Sequence, residues 1–485
     1  MGQRTSPGQV TGHDVESLSV LWLALSVAVL AVGIPAAMVS SVEDVARSDA
    51  WPITVGITVW AGLRLSVLWA RAAPLMFDFF FWVYVYIFLG IAPTVQIRSG
   101  QLSTTTPGMD PALDSPTAWV VVLGLLGYEV GRFAWSAVRD RREVAPPPEL
   151  GIKPSRTMVL FGIALLGSAY YLSRIGLGAA LGSREAATNA REAAWPDPAM
   201  RAIFQALAIY PMLVVVGALS QLRGRVVEAG NRRLATGLIV VAVVCLLAIV
   251  NPISSARYTL GTVLFALAVF AGATATVTRT RITMAVTLLG FIFVFPIADA
   301  FRRASGSNVT GRAGFFDEYL ANPDYDSFWQ IANALSFTID GLVQPFQQVL
   351  GSIFFWVPRS LWPGKPIDTG AMLAQYRGYV VENLSAPAWA ELLANAGIAG
   401  VVLGFIIFGC LLYEVDRRVG GSSRHGWWRI PQAILPVYMI ILLRGSWLQA
   451  TGALITMLAC MLFVCSRGAP AETADLPEDD RVAAT

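Results

Sequence analysis

The chain has 485 residues, 55% of them hydrophobic and 14% charged, with 35 Lys+Arg against 32 Asp+Glu and a net charge of +3. Set beside the roughly 45–50% apolar and about 25% charged residues of an average soluble domain, and with a mean hydropathy of +0.59, this composition excludes an ordinary water-soluble globule. The small positive excess does not point to nucleic acid, because the arginines lie in short connecting loops and not along one stripe.

The first apolar stretch, 17–40, is longer than a signal-peptide core, and Arg4 is the one basic residue ahead of it apart from His13, so it reads as a membrane helix. Others follow at 51–70, 74–95, 117–137, 157–177, 201–220, 234–251, 257–278, 282–301, 397–415, 430–445 and 447–466, which makes twelve. A helix of about 20 residues spans a hydrocarbon layer of about 30 Å with its backbone polarity satisfied internally. The expected class is therefore all-α, a polytopic integral membrane protein of about 12 transmembrane helices. Spans one to nine occupy 1–301, a large external loop occupies 302–396, spans ten to twelve occupy 397–466, and 467–485 is an acidic tail expected to be disordered.

An amino terminus in the cytoplasm places Arg139, Arg141, Arg142, Lys153 and Arg156 in one cytoplasmic loop and Arg223, Arg225, Arg232 and Arg233 in the next. Arg279, Arg281, Arg417, Arg418, Arg424 and Arg429 then fall on the same side, and so does the carboxyl terminus. All four cysteines, Cys245, Cys410, Cys460 and Cys465, sit in apolar segments without a CxxC, which suggests neither a disulfide framework nor a zinc site. No metal or cofactor is implied.

The external pieces are 41–50 with Glu43, Asp44 and Asp49, the Thr-rich 96–116, then 178–200, the turn 251–257, and 302–396. The last is far longer than a connection requires, and loops of that length are usually functional or disordered. Its middle argues for order: Phe346, Val349, Leu350, Ile353, Phe354 and Val357 share one helical face, with Gln347, Gln348, Gly351 and Ser352 on the other. That pattern predicts a helix lying in the outer interface. Phe355 and Trp356 make 346–358 apolar enough to re-enter or cross, while Asp340, Gln344 and Pro345 and the basic 417–429 loop favour a non-crossing segment.

Cations at outer helix ends are the first candidates for chemistry, since an arginine deep in a membrane helix costs about 2.5–3.5 kcal/mol on insertion scales. Arg257 closes the Pro-broken turn Asn251-Pro-Ile-Ser-Ser-Ala-Arg257, Arg302 and Arg303 follow the ninth span, and Arg444 lies in Leu443-Arg-Gly-Ser446 between the last two. Arg359 and Lys365 belong to Val357-Pro-Arg-Ser-Leu-Trp-Pro-Gly-Lys-Pro366, too rich in proline for a helix. Together they suit an anionic, phosphate-like group at the outer surface; the plainer alternative is local pairing or snorkelling to headgroups. For Arg64, Arg71 and Arg132, near cytoplasmic helix ends, that plainer reading is the better one.

Among the carboxylates, Asp299 is spaced to pair with Arg302 or Arg303 on one helix face. Glu391, in Trp389-Ala-Glu-Leu-Leu-Ala-Asn-Ala-Gly397 at the mouth of the tenth span, is either a general base tuned by partial burial or a carboxylate at a helix start. Both histidines, His13 and His425, fall on the cytoplasmic side, so external chemistry has no imidazole. No P-loop, HExxH or GxSxG elbow competes.

The order Asp324-Tyr-Asp-Ser-Phe328, Val357 to Pro366, then Ala390 to Gly397 entering a span resembles the O-antigen polymerase family of oligosaccharide repeat-unit polymerases. Arginines at outer helix ends, in 251–257, 295–302 and 443–445, extend the likeness over about residues 240–450. The resemblance implies an inverting GT-C-type glycosyltransferase at the outer face of the cytoplasmic (inner) membrane, making O-antigen, capsule or exopolysaccharide. It would move a glycan from one undecaprenyl diphosphate onto a repeat unit carried by another, with a chain-length regulator as a further partner. Arg257, Arg302, Arg359, Lys365 and Arg444 are then expected to bind the diphosphates, with no metal required, and Glu391 or Asp326 to take the acceptor proton. Rival readings are an O-antigen ligase, which as the resemblance has it carries a histidine in the large loop where this chain has none, and a lipid-monophosphate-sugar transferase with acids in the first external loop, such as Glu43 and Asp44. A lipid-linked oligosaccharide flippase is a third, expected to bury polar groups near the midplane.

Overall fold

A computed structural model describes residues 12–41, 45–71, 75–140, 150–225, 229–296, 316–420 and 426–466. In chain order the main helices are α1 (Val20–Ser40), α2 (Trp51–Arg71), α3 (Met76–Arg98), α4 (Pro111–Arg139), α5 (Pro154–Ile175), α6 (Arg184–Ala194), α7 (Met200–Arg225) and α8 (Gly230–Ile249). There follow α9 (Arg257–Phe270), α10 (Val277–Val294), α11 (Ser327–Ile339), α12 (Gln347–Ile353), α13 (Thr369–Arg377), α14 (Ala388–Gly420), α15 (Arg429–Arg444) and α16 (Trp447–Val464).

Ten of these, α1 to α5, α7, α8, α10, α14 and α16, are long and apolar enough to cross a membrane. Each of the twelve apolar stretches falls on a helix, but α9 and α15 have 14 and 16 residues. At about 1.5 Å per residue they reach about 21 and 24 Å, short of a full hydrocarbon layer. Beyond the expected all-α pattern there is one antiparallel pair of two-residue strands, Gly151–Ile152 with Cys465–Ser466.

The chain alternates between two ends. One carries 316–387 and is called the loop end; the other carries the arginine-rich connections and is called the basic end. Contacts hold each end together: Arg139 to Glu414 and Arg281 to the Ala70 carbonyl at the basic end, Gln96 to the Tyr319 and Tyr325 carbonyls at the loop end.

α3 is buried all round, as befits a helix in the middle of a bundle. Its Phe79, Phe80, Phe81, Trp82, Tyr84 and Tyr86 are each no more than 1% exposed. α4 and α14 pack closely through glycine: a Cβ added at Gly131 would meet the Ile406 carbonyl, and one at Gly409 the Tyr128 carbonyl. Small residues are what let membrane helices approach to backbone contact.

The tenth span was expected to begin at 397. The structure starts α14 nine residues earlier and breaks it at that point, with Ala396 at φ −154° and Gly397 at φ +61°, ψ −155°, a conformation open in practice to glycine alone. The break frees backbone groups that the loop then uses: Gln344 donates to the Ala394 carbonyl and Phe346 to that of Asn395.

The loop is ordered where described. Trp329 of α11 donates to Gln96 Oε1 at 2.7 Å, docking the loop on the end of α3. The expected amphipathic segment is a seven-residue helix, α12, about 10 Å long and too short to cross. Its polar face turns inward, with Gln348, Gly351 and Ser352 buried, while Leu350, Ile353, Phe354 and Trp356 are 43%, 56%, 42% and 68% exposed.

Candidate functional site

At the loop end two arginines from different helix ends converge on one turn. The first is placed by the 251–257 turn: Asn251 Oδ1 accepts the N–H groups of Ile253 and Ser254, and Asn251 Nδ2 donates to the Ala180 carbonyl. This Asx turn spends the asparagine on its own backbone and starts α9 at Arg257. Arg257 Nη1 donates to the Phe295 carbonyl at 2.7 Å and Nη2 to Asp324 Oδ2 at 2.6 Å, with its guanidinium 4.4 Å from the Phe295 ring centre.

The second is Arg444, the last residue of α15. Its Nε donates to the Asp324 carbonyl at 3.0 Å, and Nη2 lies 3.1 Å from Asp324 Oδ1 and 3.4 Å from Asp326 Oδ1. The Tyr258 ring lies 5.5 Å from its guanidinium. Asp324 thus bridges both cations, one oxygen each, and the turn that presents it is fixed by Asn322 Oδ1, which accepts the Asp324 N–H at 3.0 Å.

Asp326 ends that turn and stands at the start of α11, where the helix dipole favours a negative charge. Oδ1 accepts from Ser385 Oγ at 2.7 Å, and Oδ2 from Thr105 Oγ1 at 3.1 Å and Gln330 Nε2 at 3.3 Å. The side chains of Arg257 and Asp326 are 6% and 2% exposed, those of Asp324 and Arg444 24% and 18%, so the Asp324–Arg444 edge is the more open side of the cluster. Among the described residues two guanidiniums and two carboxylates cancel, which is what allows four charges to sit at low exposure. Beside them, burial pushes the Tyr325 and Tyr319 phenols well above their ordinary range, so both stay neutral.

Glu391 lies elsewhere and is 1% exposed. Oε1 accepts the Trp447 N–H, the first of α16, at 2.8 Å, and Oε2 accepts from Thr369 Oγ1, the first residue of α13, at 2.7 Å. The carboxylate ties α14 to the starts of two other helices and occupies one of α16's four unpaired N–H groups. One turn further, Asn395 Oδ1 accepts the Gln348 and Val349 N–H groups at 3.1 and 3.2 Å, capping α12.

Arg359 and Lys365 hold each other's segment. Arg359 donates to the Lys365 and Pro366 carbonyls, and Lys365 Nζ to those of Phe355 and Val357. Burial, and then Arg359 beside it, lower the Lys365 ammonium's pKa. Arg302, Arg303 and Asp299, like Glu43, Asp44 and His425, lie outside the described residues.

Of the cations and carboxylates singled out from sequence, the structure brings Arg257, Arg444 and Asp326 together and keeps Glu391 and the Arg359–Lys365 hairpin in separate contacts. Asp324, named from sequence only within its motif, carries both ion pairs, and the residues missed are Thr105 and Ser385, which hold Asp326. The signal for Asp324 was present in Asn322-Pro-Asp-Tyr-Asp326, two carboxylates two apart in a proline-started turn. Arg377 is a further loop-end cation, donating to Asn333 Oδ1 at 3.1 Å and stacked on Tyr376. Among the described residues no group of three or more His, Cys, Asp or Glu is placed to hold a metal ion.

Compared with protein-family models, with curated proteins and with solved structures, the chain matches none. Fold and composition define its class: a multi-pass α-helical membrane protein. Within that class it is one with a neutralised, partly accessible charge cluster at the end opposite its arginine-rich connections.

Proposed function

We propose that the protein is a glycosyltransferase that polymerises undecaprenyl-diphosphate-linked oligosaccharide repeat units. In this reading it is a GT-C-type enzyme of twelve spans in the cytoplasmic membrane, with the loop end outside and both termini in the cytoplasm. The observation that carries it is the pair Arg257 and Arg444, two guanidinium forks at helix ends that share the single carboxylate Asp324. The motif order 324–328, 357–366 and 390–397 supports it from the sequence side.

A diphosphate arriving at headgroup depth finds two planar donors spaced for its oxygens and displaces Asp324 from both. The arginines then stabilise the charge that develops on the leaving group. The acceptor hydroxyl oxygen attacks the anomeric carbon, the bond from that carbon to the diphosphate oxygen breaks with its electron pair leaving on the diphosphate, and the hydroxyl proton passes to a carboxylate. Asp326 is best placed to take it, because departure of Arg444 leaves it with only neutral hydroxyl and amide donors. Glu391, whose contacts lie apart from the arginine pair, acts as a positioning residue that holds α13, α14 and α16 in register. Arg302, Arg359 and Lys365 complete the set for the second carrier.

The test is the size profile of surface and lipid-linked glycan with and without the gene. Deletion should collapse the ladder to one repeat unit and wild type should restore it; Arg444→Ala should not, since loss of one donor to a developing oxyanion costs about 10²–10³ in rate, nor should Asp326→Asn, which removes the base. An intact ladder stranded on the carrier would instead mean a ligase. An unchanged profile would return the reading to transport or lipid-monophosphate chemistry.

A further inference from the structure

A cavity of about 960 Å³ lies between α9 and α10. It exists because these two helices, consecutive in the chain, lean on different partners: α9 packs on α15 and α7, and α10 on α2. Phe80 of α3 forms its floor, with Phe265 and Phe291 set edge-on to it at 5.0 and 6.4 Å. The wall is small where space is needed: a Cβ built at Gly261 or Gly290 meets no atom within 4 Å. Its rims Leu264, Val286 and Val294 are 49%, 63% and 64% exposed, so the groove opens sideways.

The two ends of the groove differ in chemistry. Towards the basic end it is lined by Ala268, Ala273 and Ile282; at the loop end it stops at Ser183, Arg184, Arg257 and Tyr258. Arg184 makes no ion pair among the described residues. A groove that follows α9 from Arg257 to Ala268, apolar along its run and cationic at one mouth, is complementary to an amphiphile with an extended apolar chain and an anionic head.

We propose that this groove seats the single polyisoprenyl chain of the lipid carrier, taken in sideways from the bilayer, with the first phosphate at Arg184 and Arg257. The proposal rests on the lipid-linked reading above and adds to it where the carrier lies: Arg257 then faces both the chain's first phosphate and Asp324, so seating the chain delivers the diphosphate to the cluster.

The experiment uses the full-length protein in phosphatidylcholine nanodiscs and a photoactivatable polyprenyl phosphate whose chain carries a benzophenone, with labelled peptides mapped. Label is expected on α9 and α10. Gly290→Phe should lower it at least ten-fold, and so should Leu264→Trp, a second blocked form that does not depend on one variant folding. Gly237→Phe on α8, where an added Cβ also meets nothing, should leave it unchanged. Excess undecaprenyl phosphate should compete and excess phosphatidylglycerol should not. Label elsewhere, label indifferent to both blocking variants, or equal competition by phosphatidylglycerol would overturn the proposal. Asp326→Asn separates the two readings: it should keep the label while losing glycan extension. A labelled groove in a protein whose deletion leaves the ladder intact would sink the polymerase and leave the groove standing.

Discussion

The two ends of the bundle each bury a network of arginines and carboxylates, and they are built on opposite plans. At the basic end Asp78, wholly unexposed, accepts from Trp82 Nε1 and Tyr128 Oη and pairs with Arg132 at 2.8 Å and Arg64 at 3.6 Å, while Arg64 also pairs with Glu129 at 2.8 Å. Asp416 accepts the Phe77 and Asp78 N–H groups at 3.1 and 2.9 Å and so caps the start of α3. Every group comes from a span, and the network ties α2, α3, α4 and α14 to one another. At the loop end the arginines come from helix ends but the carboxylates from a connecting turn. Charge in a membrane protein is thus no sign of chemistry by itself. What separates the two clusters is where their carboxylates come from: spans at the basic end, a connecting turn at the loop end.

The sharpest way to break the comparison is to remove one charge from each. Asp78→Ala strands Arg132 at low exposure, and breaking a buried pair in this way costs about 3–5 kcal/mol; thermal unfolding in detergent, followed by size-exclusion, should show the protein lost or its midpoint strongly lowered. Asp324→Asn should cost less, about 1.5–3 kcal/mol, because the amide oxygen still accepts from a guanidinium, while glycan extension falls. Equal losses of stability would mean that both networks are scaffolding. The smallest expected effect tests the loop's attachment: Asn395→Ala removes the cap of α12 for about 1 kcal/mol, and limited proteolysis should then cut 354–362 faster with no change at the basic end.

Much of this architecture was legible in the sequence. Twelve apolar stretches became helices because hydropathy over about 20 residues is the strongest pattern a chain carries, and Arg257 and Arg444 stood out because a guanidinium at a helix end is expensive without a reason. Arg64 and Arg132 were expected to be locally paired, and they pair with Glu129 and Asp78. The partner of Arg257 and Arg444 was not legible, since it lies in a loop at a separation that no periodicity spans. Of the amphipathic segment 346–357 only Gln347–Ile353 is helical, and which face goes inward depends on Asn395, whose capping of Gln348 and Val349 draws the polar face into the protein. The expected start of the tenth span at 397 coincides with the break in α14, because Gly397 ends one helical run and permits the next.

Asp324 meets Arg257 across 67 positions and Arg444 across 120. The loop is therefore not a cassette. A hybrid that grafts a foreign 316–387 segment between these spans inherits half of each ion pair and leaves two guanidiniums without counter-ions, so exchange of specificity between relatives requires crossovers that carry the ends of α9 and α15 along. Drift at any one of these three positions is coupled to the other two, and Arg257, Asp324 and Arg444 should change together or not at all.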